Sequence, residues 1–272
     1  MSQQSYARGV LYVVLAGVFL STGGLIVRHV ADADAWTVLF YRSLTFSTSV
    51  IIFLWFQERK NTLALYKKMR GLDFLIALSL ALGFIFYLLS LFTTSVANTV
   101  LVLSTGPFIA ALLGWLVLKE KVTIVTILAM IAAIAGVIVM VSGGISASDI
   151  QGILYALMAV LSFSVMIVSL RKIGSERNTM AAVSLAGVIA ALLCLPFVTT
   201  LQISGHDLLM AVCLGSLQVG LGFILITLGS RSVPTAQVPL LALGETALAP
   251  LWVWLIINET PANNTLMGGV LV

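Results

Sequence analysis

Charge is what this chain lacks most. Only 9% of its 272 residues are Asp, Glu, Lys or Arg, where an ordinary soluble domain carries about 25%. That is too little polar surface to cover a water-facing core, which excludes a soluble enzyme and a nucleic-acid-binding domain. Cysteine is scarce too. Cys194 and Cys213 are the two present, which excludes a disulfide scaffold, and both fall inside apolar stretches as small packing residues. The two histidines, His29 and His206, stand isolated at loop positions, and no cluster of His, Cys and carboxylate has metal-ligand spacing. The segment 226–232, ITLGSRS, has no phosphate-binding loop pattern, and no Ser or Cys has a partner His within its stretch. No catalytic residue, metal or cofactor is therefore expected.

What the chain has is apolar length. Hydrophobic residues make up 60% of it, in stretches over 9–27, 35–56, 72–92, 96–118, 122–142, 150–170, 179–200, 207–229 and 235–257. These stretches are 19 to 23 residues long, the length that crosses about 30 Å of hydrocarbon at about 1.5 Å per residue. None shows period-2 alternation, so helices are expected and not a β-barrel. Behind Arg8 the first stretch lacks a small-residue cleavage pattern, and it reads as a span, not a signal peptide. A tenth stretch, 263–272, is only half a span, and an intact helix there would need roughly ten more apolar residues.

The basic residues set an orientation. With the N-terminus in the cytoplasm, twelve of the fourteen Lys and Arg fall inside, Arg28 alone falls outside, and Arg42 lies within a span. A multi-pass protein of the bacterial inner membrane with both termini cytoplasmic is expected. The basic excess needs no nucleic-acid partner to explain it. The cluster between Glu58 and Asp73 reads as a cytoplasmic loop, with anionic lipid head groups as the alternative partner. Trp36, Trp55, Trp115, Trp252 and Trp254 fall towards span ends, as interfacial aromatic residues do.

The chain also repeats itself. Residues 9–28, GVLYVVLAGVFLSTGGLIVR, align without gaps on 152–171, GILYALMAVLSFSVMIVSLR, with Gly9/Gly152, Tyr12/Tyr155, Ser21/Ser164 and Arg28/Arg171 identical. Residues 83–133 align on 222–272, with Gly83/Gly222, Phe84/Phe223, Trp115/Trp254 and Glu120/Glu259 identical. The unit is then five spans long, 1–145 and 146–272. An odd number of spans makes the second copy cross the membrane in the opposite sense. Inverted repeats suit alternating access, since exchanging the conformations of the halves turns an outward-open cavity inward.

The block GFIFYLLSLFTTSVANTVLVLSTGPFIAALLGWLVLKEKV resembles the second half of an EamA-like repeat of the drug/metabolite transporter superfamily, and GFILITLGSRSVPTAQVPLLALGETALAPLWVWLIINETP resembles its counterpart. The resemblance covers nearly the whole chain. It implies ten transmembrane helices as two inverted five-helix repeats, around a cavity lined by the first, third, fourth, sixth, eighth and ninth helices. It does not fix a substrate, because such families move amino acids, cofactors, nucleotide derivatives and drugs.

Ionisable groups inside hydrocarbon are costly and point to function. Glu245 lies in the ninth stretch between Pro239 and Pro250, where the first repeat has Gly106 beside Pro107. The three prolines are read as helix-breaking residues of the fourth and ninth spans. It reads as a proton acceptor or as the counter-charge of a substrate ammonium, with an interhelical structural carboxylate as the alternative. Arg42 lies about 10 Å below the outer end of the second span by helical rise, and Leu185 takes its place in the second repeat. It is a candidate for a substrate carboxylate or phosphate, for a pair with Glu245, or for a structural anchor. Asn98 and Gln237 occupy matching positions, as gate residues or as packing amides. Gln218, Tyr87, Ser21 and Ser164 are candidate lining residues, although a serine in a membrane helix commonly bonds its own backbone.

Together these features predict a secondary active transporter of small metabolites that exports amino acids or related amphipathic compounds. A proton or another ion is the candidate coupling species, and the protein is a monomer or homodimer. The alternatives are an importer of a cofactor-like or nucleotide-like metabolite in the same fold, an intramembrane enzyme, and a passive channel.

Overall fold

The structure, a computed structural model, describes residues 3–59, 62–119, 147–174, 178–229, 232–233 and 244–260, together with 124, 127–128, 131–132 and 134–136. No strand occurs among the described residues, and seven of their helices are long and apolar enough to cross a membrane. They cover the expected first to fourth and sixth to eighth spans. The ninth is described from Gly244, and the tenth lies outside the described residues.

Several spans are not the continuous rods that hydropathy suggests. The first is split into α1, Gln3–Ser21, and α2, Gly23–Val27. At the break the hydroxyls of Ser21 and Thr22 donate to the carbonyls of Val18 and Phe19, both at 2.7 Å, in competition with the helical N–H groups. The second span is α3, Ala35–Glu58, capped by Asp34, whose carboxylate accepts from the N–H groups of Trp36 and Thr37. After α4, Thr62–Lys67, the third span is α5, Gly71–Thr93. The fourth is split into α6, Val96–Leu103, and α7, Gly106–Leu118. Pro107 stands in the first turn of α7, where its missing N–H costs nothing, so it marks the restart of the helix. The sixth span is α8, Ala147–Ile173. The seventh is α9, Met180–Cys194, continued by a 3-10 turn at Leu195–Phe197. The eighth runs as α10, Gly205–Val212, a π-helical segment, Cys213–Leu221, and α11, Gly222–Gly229. The last described helix is α12, Gly244–Ile257.

These elements form two compact units. The first holds Met1–Lys60 with Ala191–Asn258, and the second Asn61–Ala190 with Glu259–Val272. Each therefore draws on both halves of the sequence. In the first, α1 packs on α11 and α12, and α3 packs on the π-helical segment and α10. In the second, α8 is the centre, lying along α5, α6 and α7. Ile76 and Ala77 of α5 bury against Ala182 of α9, and Val102 of α6 against Ile153, Ala156 and Val160 of α8.

The same contacts recur in both units. Gly222 of α11 abuts Leu20 of α1, and its repeat counterpart Gly83 of α5 abuts Phe163 of α8, the counterpart of Leu20. Gly9 of α1 abuts Ser232 and Val233, while its counterpart Gly152 abuts Thr93 and Thr94, which align on those two residues. In each unit a glycine lets two helices approach until a Cβ would collide. The helix ends match as well. α7 stops at Leu118 and α12 at the aligned Ile257, each followed by a residue in the left-handed region, Lys119 at φ 57° and Asn258 at φ 59°. Beside these ends the aligned Trp115 and Trp254 are 52% and 50% exposed. Apolar surface of that kind faces lipid without penalty.

Candidate functional site

Three polar residues that break the repeat fall in the first unit: Arg42 against Leu185, Gln218 against Ser79, and Glu245 against Gly106. Arg42 on α3 is 1% exposed, which makes it the largest fully buried side chain among the described residues. Glu245 is half-buried in the first turn of α12. A helix N-terminus stabilises a carboxylate there through the free N–H groups of its first turn. Among the described residues no ion pair joins Arg42 to Glu245. Pro250, expected to break its helix, lies inside α12, which runs on to Ile257 although the proline has no N–H to give to the carbonyl of Thr246.

Ser21 lies at the break between α1 and α2, 1% exposed. Besides donating to Val18, its oxygen accepts the indole N–H of Trp252, on α12, at 2.9 Å. One residue earlier, the carbonyl of Leu20 accepts from Gln218 Nε2 at 3.0 Å. The π-helical segment that carries Gln218 lies against α3, with Gly215 set on the Arg42 carbonyl and the Thr45 side chain. Gln218 is 2% exposed, and its Oε1 has no hydrogen-bond partner among the described residues. A buried acceptor left in that condition costs about 1–3 kcal/mol.

In the second unit Ser164 mirrors Ser21, donating to the Gly106 carbonyl at 3.3 Å where α7 restarts. Each repeat-matched serine thus reaches a helix of the other repeat, α12 for Ser21 and α7 for Ser164. Tyr87 is buried on α5. Asn98 pins the corner between α5 and α6: its Nδ2 donates to Thr94 Oγ1 at 3.0 Å, and Thr94 donates to Asp149 at 2.7 Å. Glu259 accepts the Val96 N–H at 3.0 Å beside it. Gln237 and Pro239 lie outside the described residues.

The histidines are not isolated as their sequence positions suggest. The ring of His206 donates from Nε2 to the His29 carbonyl at 2.9 Å. Next to it Asp207, fully buried, accepts the N–H groups of Ala31, Asp32 and Ala33 at 2.8, 3.0 and 2.9 Å. That carboxylate holds the loop between α2 and α3, a role its place in the sequence does not reveal. The one available signal is that Gly205-His206-Asp207 echoes Gly71-Leu72-Asp73, whose Asp73 accepts the Arg70 N–H at 2.6 Å. No group of three or more metal-ligating side chains occurs among the described residues.

The model of the EamA-like transporter family matches residues 7–142 and 150–272. A solved crystal structure of a protein 18% identical to this chain superposes with TM-score 0.68, over 97% of this chain and 93% of its own, a likeness of fold. No curated protein matches the chain in sequence.

Proposed function

From the premise that the chain belongs to the EamA-like transporter family, and so is a multi-pass membrane transporter of the drug/metabolite type, we propose that it exports amino acids or related amphipathic compounds by alternating access. The halves 1–145 and 146–272 act as inverted five-helix repeats, with the N-terminus cytoplasmic in a bacterial inner membrane. The observation that carries the reading is the position of Glu245. It is an ionisable side chain in a membrane helix, where the aligned residue of the other repeat is glycine. A carboxylate in that setting takes up a proton or faces an ammonium group, and either event lowers the cost of a lone charge in hydrocarbon. Arg42 is a second charge for the substrate's carboxylate end. The breaks at Thr22 and at Ser104–Thr105 are points about which short helices can turn.

The test is flux of labelled amino acids into inside-out proteoliposomes, with and without a pH gradient. Wild-type protein is expected to accumulate substrate only with the gradient. Glu245→Gln is expected to lose that dependence, and the coupling role fails if the variant keeps the wild-type pH profile.

A further inference from the structure

Gln218 is placed by a helix that breaks its own register. The segment Cys213–Leu221 is π-helical over nine residues, where π-helix is rare and concentrates at functional sites. The aligned stretch of the other repeat lies inside α5, a regular α-helix with Ser79 at the Gln218 position. Ser79 spends its hydroxyl on the carbonyls of Leu75 and Ile76 in its own helix. Both helices nevertheless make the same close glycine contact, Gly83 on Phe163 and Gly222 on Leu20. That glycine contact therefore needs neither the π register nor the amide.

The amide's orientation is fixed by its partner. The Leu20 carbonyl only accepts, so the Gln218 nitrogen must face it and the oxygen must point elsewhere. That oxygen is buried and meets no donor among the described residues. A neutral acceptor held in this way suits a ligand that brings its own N–H, and gains most when that N–H is charged.

We propose that Gln218 Oε1, presented by the π-helical segment, accepts a hydrogen bond from an N–H group of the transported compound, whose class is that of primary ammonium compounds. The inference rests on the transporter reading but assigns a separate task. Glu245 senses the charge, while Gln218 counts the N–H.

Two probes of equal charge separate these tasks: phenethylammonium, which has N–H donors, and phenethyltrimethylammonium, which has none. Binding of each to the purified full-length protein in detergent is measured by calorimetry. Wild-type protein is expected to prefer the primary amine by about tenfold or more, as loss of one charged hydrogen bond requires. Gln218→Met should bring the ratio close to one, and Glu245→Gln should weaken both probes and keep the ratio. The proposal is overturned if wild-type protein shows no preference or binds neither probe, or if Gln218→Met retains the preference. Should Gln218→Met fail to fold, Gln218→Glu, of the same size, is expected to widen the preference, and an unchanged ratio overturns the proposal. A preserved ratio with affinities unaffected by Glu245→Gln removes the ammonium role of Glu245 and leaves that of Gln218 standing.

Discussion

Trp252 donates its indole N–H to the hydroxyl oxygen of Ser21 at 2.9 Å, joining α12 to the break in the first span across 231 positions of sequence. The serine is thereby used twice, since it also donates to Val18. Its counterpart Ser164 reaches α7 in the other unit. A hydroxyl at a helix break is suited to this because the interrupted backbone leaves room for a partner.

Trp252→Phe keeps the ring and removes the donor, and Ser21→Ala removes the acceptor. Each is expected to lower stability, with a coupling of about 0.6 kcal/mol in a double-mutant cycle, the average for interhelical bonds in membranes. Unfolding in mixed micelles measures it. A coupling of zero would show that the bond contributes nothing.

Asp207→Asn replaces a carboxylate that takes three backbone N–H groups by an amide with one acceptor. The loss is expected to be about 1.5–3 kcal/mol, and local. Amide exchange at Ala31, Asp32 and Ala33 should accelerate, while exchange in α5 and α8 of the other unit stays as in wild type. Uniform acceleration along the chain would refute the local role.

Two glycines should respond with opposite signs. A Cβ at Gly152 would stand 2.5 Å from the Cβ of Thr94, so Gly152→Ala is expected to cost about 1–3 kcal/mol by overpacking. A Cβ at Gly71 meets nothing within 4 Å. Gly71→Ala should be neutral or stabilise by up to about 1 kcal/mol, from the better helix propensity of alanine. Thermal melting of the two variants side by side decides.

The proposed orientation is tested by labelling. In a background with Cys194 and Cys213 changed to Ala, Asp32→Cys should react with a membrane-impermeant maleimide on intact cells stripped of their outer membrane. Lys68→Cys should react only after the inner membrane is opened. Both side chains are exposed. The reverse pattern would invert the topology.

Hydropathy located the seven described spans because lipid imposes length and apolarity on each of them, whatever its partners. The restart at Pro107 was legible for a similar reason, since proline has one cheap place in a helix. The break at Thr22 was not, because it depends on two hydroxyls choosing carbonyls over solvent. Nothing in the composition of Cys213–Leu221 separates an i to i+5 register from an ordinary helix. Asp207 and the His29–His206 contact were hidden because their partners are about 175 residues away in sequence. Within the candidate site, the repeat comparison picked out Arg42 and Glu245 as asymmetric charges. That the Gln218 amide oxygen meets no donor among the described residues needed the coordinates.

The division of the chain into units that each combine early and late segments bears on how the protein is made. Residues 1–60 leave the ribosome first, yet the segment that completes their unit begins at Ala191. The second unit, by contrast, draws most of its length from one uninterrupted run, Asn61–Ala190. During synthesis the opening pair of helices must therefore wait in the bilayer with its mating surfaces facing lipid, while a later run closes around α8. Contacts of such long sequence separation form late and slowly. Chains stalled or cut before Ala191 would leave Ser21 and the buried face of α3 without their mates, and such half-made products are the ones quality-control proteases are built to find.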